Sequence, residues 1–177
     1  STERDESGMS DTVLRTLDDG VLEITLNRPA KKNAFSREQW AAFADALAEA
    51  REDARVAVVL LTGAGGNFSS GTDLTEFGDA DGEHPFARCA QVVCDFDKPL
   101  IGAATGVAVG GGATLLFHCD LLYVGEGLRM RLPFVNLGLV PEFASSYRLQ
   151  AIVGPRQAAE LLFTADWIDA ARARETG

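Results

Sequence analysis

The chain has 177 residues, 46% hydrophobic and 24% charged, enough for one domain with a substantial core. Its formal net charge of −10 argues against a nucleic-acid or anionic-membrane surface, while leaving room for an anionic small ligand held by a few local cations. Cys89, Cys94 and Cys119 form no CxxC pair and are odd in number, so neither a disulfide framework nor a metal site is expected; free thiols in a reducing cytoplasm are the plainer reading.

The start, "STERDESGMSD", is polar, carries four acidic residues and lacks the apolar core of a signal peptide. Residues 1–11 read as a disordered tail or tag remnant, with Met9 as a natural start. "VLRTLDDGVLEITLNRP" reads as a β-hairpin around Asp19-Gly20. Residues 36–54 read as a helix: Ser36 and Gln39 suit a capping box, and Trp40, Phe43 and Leu47 fall on one face. "VAVVLLT" (56–62) is a short apolar run, the pattern of a strand covered on both sides. Residues 78–84 are a polar loop, followed by a helix through Cys94. "PLIGAATGVAV" (99–109) reads as a second buried strand, "GGGATLLFHC" as a buried helix and "DLLYVG" (120–125) as a third strand. Helices are expected near 143–152 and 155–163, and Asp169 caps a last one. No apolar run reaches the roughly 20 residues needed to span a bilayer, so a cytoplasmic protein with no membrane partner is expected. The order β-β-α, then β-α repeated, implies an α/β fold with helices against a mostly parallel sheet. No repeat or linker divides residues 12–177, which read as one core.

The eighteen glycines are spread along the chain and mark turns and close backbone approaches. "GAGGNF" from Gly63 misses GxGxxG because Phe68 takes the last glycine position, and no GxxxxGK[ST] occurs, so dinucleotide and P-loop binding are not supported. Two features remain: "SSGTD" (69–73) after a strand, and "GVAVGGGATLLFHCD" (106–120), a strand followed by three glycines and an apolar helix. Glycines at a helix start let a ligand approach main-chain N–H groups that have no intrahelical partner. One donor from each turn would make an oxyanion hole. On the glycines alone a second reading stands equally open: Gly110–Gly112 only permits tight helix–strand packing.

"LNRPAKKNAFS", "LTGAGGNFSSGTDL", "GVAVGGGATLLFHCD" and "LPFVNLGLVPEFASSYRLQAIVG", in this order and spacing, resemble the enoyl-CoA hydratase/isomerase (crotonase) superfamily from about residue 12 to the end. The resemblance implies a spiral of ββα units assembled as homotrimers or hexamers. It implies an acyl-CoA thioester as substrate, with no further cofactor, and a place in fatty-acid metabolism. The thioester carbonyl would sit between the backbone N–H groups of Thr72 and Gly111. CoA would be held by the main chain of Arg28 through Ala34, including Asn33, with Lys31 and Lys32 supplying local positive charge, and by Ser70, Gly71, Thr72, Asp73 and Leu74. Asp73 and Asp120 read better as turn and helix-end residues than as catalytic ones, and His118, inside an apolar helix, as a core histidine. The family continues past "ARARETG" into further helices, so a C-terminal helical part is expected to be missing here.

The hydratases this chain resembles use two glutamates to position and activate water. Those positions hold Thr114 and Phe134, so water addition lacks both its acid and its base. One acid remains, Glu142 in "LGLVPEFASSY", which resembles the isomerase branch where a glutamate after proline shuttles a proton. Moving a β,γ-double bond to α,β needs one base, and Phe134 is expected to dry the pocket and raise its pKa. The bland alternative places Glu142 in a helix's first turn, where acids are favoured. Beside the isomerase stand two others: another acyl-CoA reaction such as hydration or thioester hydrolysis, and a catalytically weak acyl-CoA-binding scaffold.

Overall fold

Asp19 and Gly20 take φ of +44° and +80°, the two-residue turn whose twist suits an antiparallel pair. They join β1 (Val13–Asp18) to β2 (Val21–Leu26) with Val13 opposite Leu26 and Asp18 opposite Val21, as the sequence predicts. The computed structural model describes residues 10–76 and 84–177. The tail expected at 1–11 and the loop expected at 78–84 lie outside the described residues except at Ser10, Asp11 and His84. Ser10 is already tied down, its Oγ donating to Glu38 Oε1 at 2.5 Å.

Helix α1 (Arg37–Glu52) starts where predicted, with Ser36 Oγ accepting from the Gln39 N–H. The capping box is only half made. The Gln39 side chain turns away from Ser36, and its Nε2 donates at 2.7 Å to Thr12 O, which also accepts from the Asn27 N–H. Strand β3 (Val58–Gly63) runs parallel to β2, with Val59 and Leu61 fully buried and Val58, Leu60 and Thr62 half-buried on the other side. Helix α2 (Pro85–Asp95) is capped by His84, whose Nδ1 accepts from the Phe86 N–H.

The stretch expected as one strand over 99–109 is two. Strand β4 (Leu100–Ala104) pairs in parallel with β3, and β5 (Val107–Val109) belongs to a different sheet. The break is at Gly106, φ +57°, where a Cβ would stand 2.2 Å from Gly66 O. Only glycine takes a left-handed conformation against another backbone at that range. Periodicity carries no sign of this, since both halves are equally apolar.

Helix α3 (Gly111–Leu116) follows β5, then β6 (Leu121–Val124), β7 (Arg129–Arg131), α4 (Phe134–Leu137), α5 (Ser145–Val153), α6 (Pro155–Thr164), β8 (Ile168–Asp169) and α7 (Ala170–Thr176). Asp169 caps α7 through the Arg172 N–H, as expected. Strands β7 and β8 and helix α4 were not foreseen; they span two to four residues, too short to show a period. Among the described residues, one sheet has the order β1-β2-β3-β4-β6, parallel after the first pair, and a small one the order β5-β7-β8. The small sheet carries the glycine-rich turn away from the main sheet and sets α3 against residues 69–73.

Candidate active site

Residues 69–73 run between two neighbours. On one side Ser69 pairs with β5: its N–H donates to Val107 O and its carbonyl accepts from the Val109 N–H. On the other side Phe35 donates to Gly71 O and accepts from the Asp73 N–H, each at 2.8 Å. In an extended segment alternate N–H groups point opposite ways, so the Thr72 N–H faces away from Phe35, toward the β5–α3 side. Gly71 has φ +92°, and a Cβ there would lie 2.6 Å from Val109 O and 3.6 Å from Gly111 N. The small turn is thus small because it is pressed against the entry to α3. Neither the Thr72 nor the Gly111 N–H has an acceptor among the described residues.

The three glycines divide the two readings the sequence left open. Gly110 takes φ +51° and ties its N–H to Arg131 O of β7. Gly112 is there for packing: a Cβ would meet Ser69 O at 2.6 Å. Gly111 has more room; a Cβ would come 3.3 Å from Trp40 Cζ2 and 3.4 Å from Thr72 Oγ1.

Trp40 belongs to an aromatic cluster. It stacks on Phe35 with centroids 3.7 Å apart, meets Phe86 edge-on at 5.1 Å and lies 6.0 Å from Phe143. Phe143 follows Glu142, so one apolar wall links the surroundings of Gly111 to those of the acid. Phe134, expected to dry the pocket, is buried at the start of α4, where its carbonyl accepts from the Leu139 N–H.

Glu142 is not in a helix's first turn. It precedes α5 by three residues, and its carbonyl accepts from both Ser145 N and Ser145 Oγ. Phe143 and Ala144 between them take φ of +57° and +51°, a conformation that costs a non-glycine residue about 1 kcal/mol or more and has to be held from outside. Thr114 Oγ1 donates to Glu142 Oε1 at 2.8 Å, while Oε2 is buried with no partner among the described residues. Burial pushes the carboxyl above its ordinary range, and the Thr114 hydrogen bond pulls the other way. His118 is a core histidine with a partner the sequence did not reveal: its Nε2 sits 2.7 Å from Phe143 O. Burial lowers its pKa, so it is neutral and donates from Nε2. Gly111, Thr114 and His118 fall at i, i+3 and i+7, one side of α3 and its continuation. That spacing was legible; its target across the fold was not.

The expected CoA-binding stretch is brought against the same turn. Ser70 N donates to Lys32 O, Ser70 Oγ to Lys31 O and Ser69 Oγ to Asn33 O. Lys31 and Lys32 are exposed and Ala34 is buried. Leu74 opens a single 3₁₀ turn, Leu74–Glu76. Arg28 is not an open cation: its guanidinium holds Ala34 O and lies 3.3 Å from Asp73 Oδ2. Thr75 and then Arg28 keep the Asp73 carboxyl below the ordinary range, the structural role foreseen for it. Asp120 likewise holds the Leu100 N–H at the head of β4. Asn33, expected among the binding residues, is fully buried with its side chain spent internally. Oδ1 accepts from Arg28 N, and Nδ2 donates to Ala64 O and Asn67 O. It also takes φ +54°, which asparagine tolerates better than most. Asn33→Ala removes the partner of three partly buried backbone groups, so urea unfolding should show a loss of about 2 kcal/mol. A midpoint equal to wild type would mean that water replaces the amide.

The model for enoyl-CoA hydratase/isomerase matches residues 16–177. The chain belongs to the enoyl-CoA hydratase/isomerase family. This crotonase-type chain is 37% identical over 171 residues to enoyl-CoA delta isomerase 2 of Homo sapiens, covering 91% of this chain and 43% of that protein. It is 33% identical over 165 residues to 2,3-dehydroadipyl-CoA hydratase of Escherichia coli (strain K12), covering 89% and 63%. A solved structure described as a putative enoyl-CoA hydratase/carnithine racemase from Magnetospirillum magneticum AMB-1 superposes with a TM-score of 0.90 at 40% identity, covering 96% of this chain and 68% of that one. The crotonase chain therefore spans about two fifths to two thirds of the curated relatives named here. Among its described residues no helix is long and apolar enough to cross a membrane, and no cluster of three His, Cys, Asp or Glu could hold a metal.

Proposed function

We propose that this chain carries the active site of an enoyl-CoA isomerase that shifts the double bond of 3-enoyl-CoA to 2-enoyl-CoA. The observation that supports this reading is the state of Glu142: one carboxylate oxygen occupied by Thr114, the other buried without a partner among the described residues, beside an apolar wall. Glu142 removes a proton from C2. The C–H electrons move into conjugation, and the charge collects on the thioester oxygen as a dienolate. The Thr72 and Gly111 N–H groups stabilise that oxygen. The same carboxyl then returns the proton to C4, and the double bond settles between C2 and C3. The cycle is balanced with one proton and one carboxyl group. Burial supports the chemistry, because a base with a raised pKa is better matched to a weakly acidic carbon.

Hydration is a different demand: water must be held and activated by two carboxylates. The positions where the hydratases keep them hold Thr114, which donates to Glu142, and Phe134, which is buried in the core. The exposed Lys31 and Lys32 next to residues 69–73 suit the phosphates of CoA. A homotrimeric or hexameric assembly in the cytoplasm, serving fatty-acid metabolism, belongs to the same proposal. The test supplies 3-enoyl-CoA and 2-enoyl-CoA separately to the full-length protein and follows conjugation by absorbance and water addition by mass. Fast conversion of the first with little hydration of the second is expected. Rapid formation of 3-hydroxyacyl-CoA would overturn the isomerase reading.

A further inference from the structure

We propose, on the isomerase reading just given, that Thr114 is a positioning residue: its hydroxyl fixes Glu142 Oε1 so that Oε2 alone is presented to the reacting carbons. Thr114 is fully buried in the middle of α3. Its Oγ1 lies 2.8 Å from Glu142 Oε1 and 3.3 Å from Gly111 O. A hydroxyl has one proton to give. The closer acceptor is also the better one, since a carboxylate forms a stronger hydrogen bond than an amide carbonyl. Threonine in a helix divides between two χ1 rotamers, and the one found here puts Oγ1 within reach of both Gly111 O and Glu142 Oε1, which gives the donor its direction.

The backbone on which Glu142 stands is pinned by three hydrogen bonds. Ser145 N and Oγ hold its own carbonyl, and His118 holds the carbonyl of Phe143. What these bonds leave free is rotation of the glutamate side chain. Thr114 closes that freedom, and does so from the helix whose first residue is Gly111. Donor and base are thereby referred to one short rigid element.

The link also has an electrostatic consequence. Among the described residues no charged side chain of α1, α2, α3 or α5 contributes to the displacement of the Glu142 carboxyl; burial, the Thr114 hydroxyl and its own backbone do. His118, two residues past the end of α3, has its pKa lowered by burial, and Arg148 of α5 acts on His118 in the same direction. Removing the hydroxyl therefore removes the main interaction that favours the ionised base.

The experiment compares full-length wild type, Thr114→Val, Thr114→Ser and Glu142→Gln. The Glu142 carboxyl is titrated by carbon NMR with labelled glutamate, its signal identified by its loss in Glu142→Gln. Isomerase pH–rate profiles and the Kd for butanoyl-CoA, which cannot isomerise, are measured on the same proteins. In Thr114→Val the carboxyl should titrate at higher pH and the acid limb of kcat/KM should move up with it. The value of kcat should fall about ten- to a hundredfold, the effect of a slightly misplaced reacting group, and butanoyl-CoA should bind as before. Thr114→Ser should restore both titration and rate. A Glu142 titration unchanged in Thr114→Val overturns the pairing whatever the activity. A wild type no faster than Glu142→Gln overturns the isomerase reading instead. If the valine variant does not fold, Thr114→Ala takes its place with the same expectations.

Discussion

Glu142→Gln is expected to slow isomerisation of 3-enoyl-CoA by roughly a hundredfold to ten-thousandfold, the range that general acid–base catalysis supplies. The amide keeps the shape and still accepts from Thr114 Oγ1, but it cannot take a proton from carbon. Affinity for the CoA ester should barely move, because the backbone segments and lysines offered to CoA lie elsewhere. Stability should move the other way. Burial raises the Glu142 carboxyl, so the folded protein holds that proton more tightly than the unfolded chain does. Between the unfolded and folded pKa values the folded state carries more protons, and its stability falls as pH rises through that window. Above the window the buried charge remains a constant cost. Glutamine does not titrate. The mutant should therefore melt above wild type near neutral pH, with the gap closing as the pH is lowered through the ordinary carboxylate range. Turnover, butanoyl-CoA binding and melting curves from roughly pH 4 to 8 measure all of this. Undiminished turnover in a folded mutant would remove Glu142 from the chemistry, and a lower melting point at neutral pH would make its net role structural.

Gly111→Pro is expected to cost roughly a hundredfold or more in kcat, the loss typical of one missing oxyanion donor. Proline suits the first position of a helix, where no intrahelical bond needs its N–H. The added Cβ would come no closer than 3.3 Å to Trp40 Cζ2, a contact that asks for a small adjustment. The variant thus removes a donor while leaving the fold. Gly111→Ala is the comparison: it adds the same Cβ and keeps the N–H, so it should retain far more turnover than proline. Equal loss in both would trace the effect to crowding against Trp40, and the amide would have no special part.

Much of this arrangement is legible in the sequence, for identifiable reasons. The hairpin, α1 and α3 carry their own signals: Asp19-Gly20, a serine cap, and an apolar run behind three glycines. The split between β4 and β5 does not, because the decisive contact of Gly106 is with Gly66, forty residues away, and strand periodicity is blind to it. The same applies to the site. Gly111 stands out by residue type and position, at the start of an apolar helix behind a strand, whereas Glu142 is marked only by resemblance to the isomerase branch. Thr114 looks like the loss of an acid until the fold puts its hydroxyl on another. Asn33 enters through the resemblance, as part of a stretch that offers main chain to CoA; that its side chain is spent inside the fold, on a left-handed backbone, no pattern shows. Pattern shows which residues are unusual; which partner each meets depends on contacts distant in the chain.

The bond between Thr114 and Glu142 has a consequence for how reactions are exchanged on this scaffold. The position where the hydratases keep a carboxylate and the position of this chain's own acid are hydrogen-bond neighbours, though twenty-eight residues apart in sequence. On the isomerase reading, the space beside the thioester thus offers two addresses for one negative charge, one on a helix and one on a strained loop. A charge lodged at either address reaches much the same volume, but from a different angle and with a different mate. Filling both would place two like charges within about 3 Å and force one to stay protonated. Occupancy of the pair, rather than any rebuilding of the backbone, then sets whether the pocket has one acid working alone or two sharing a proton.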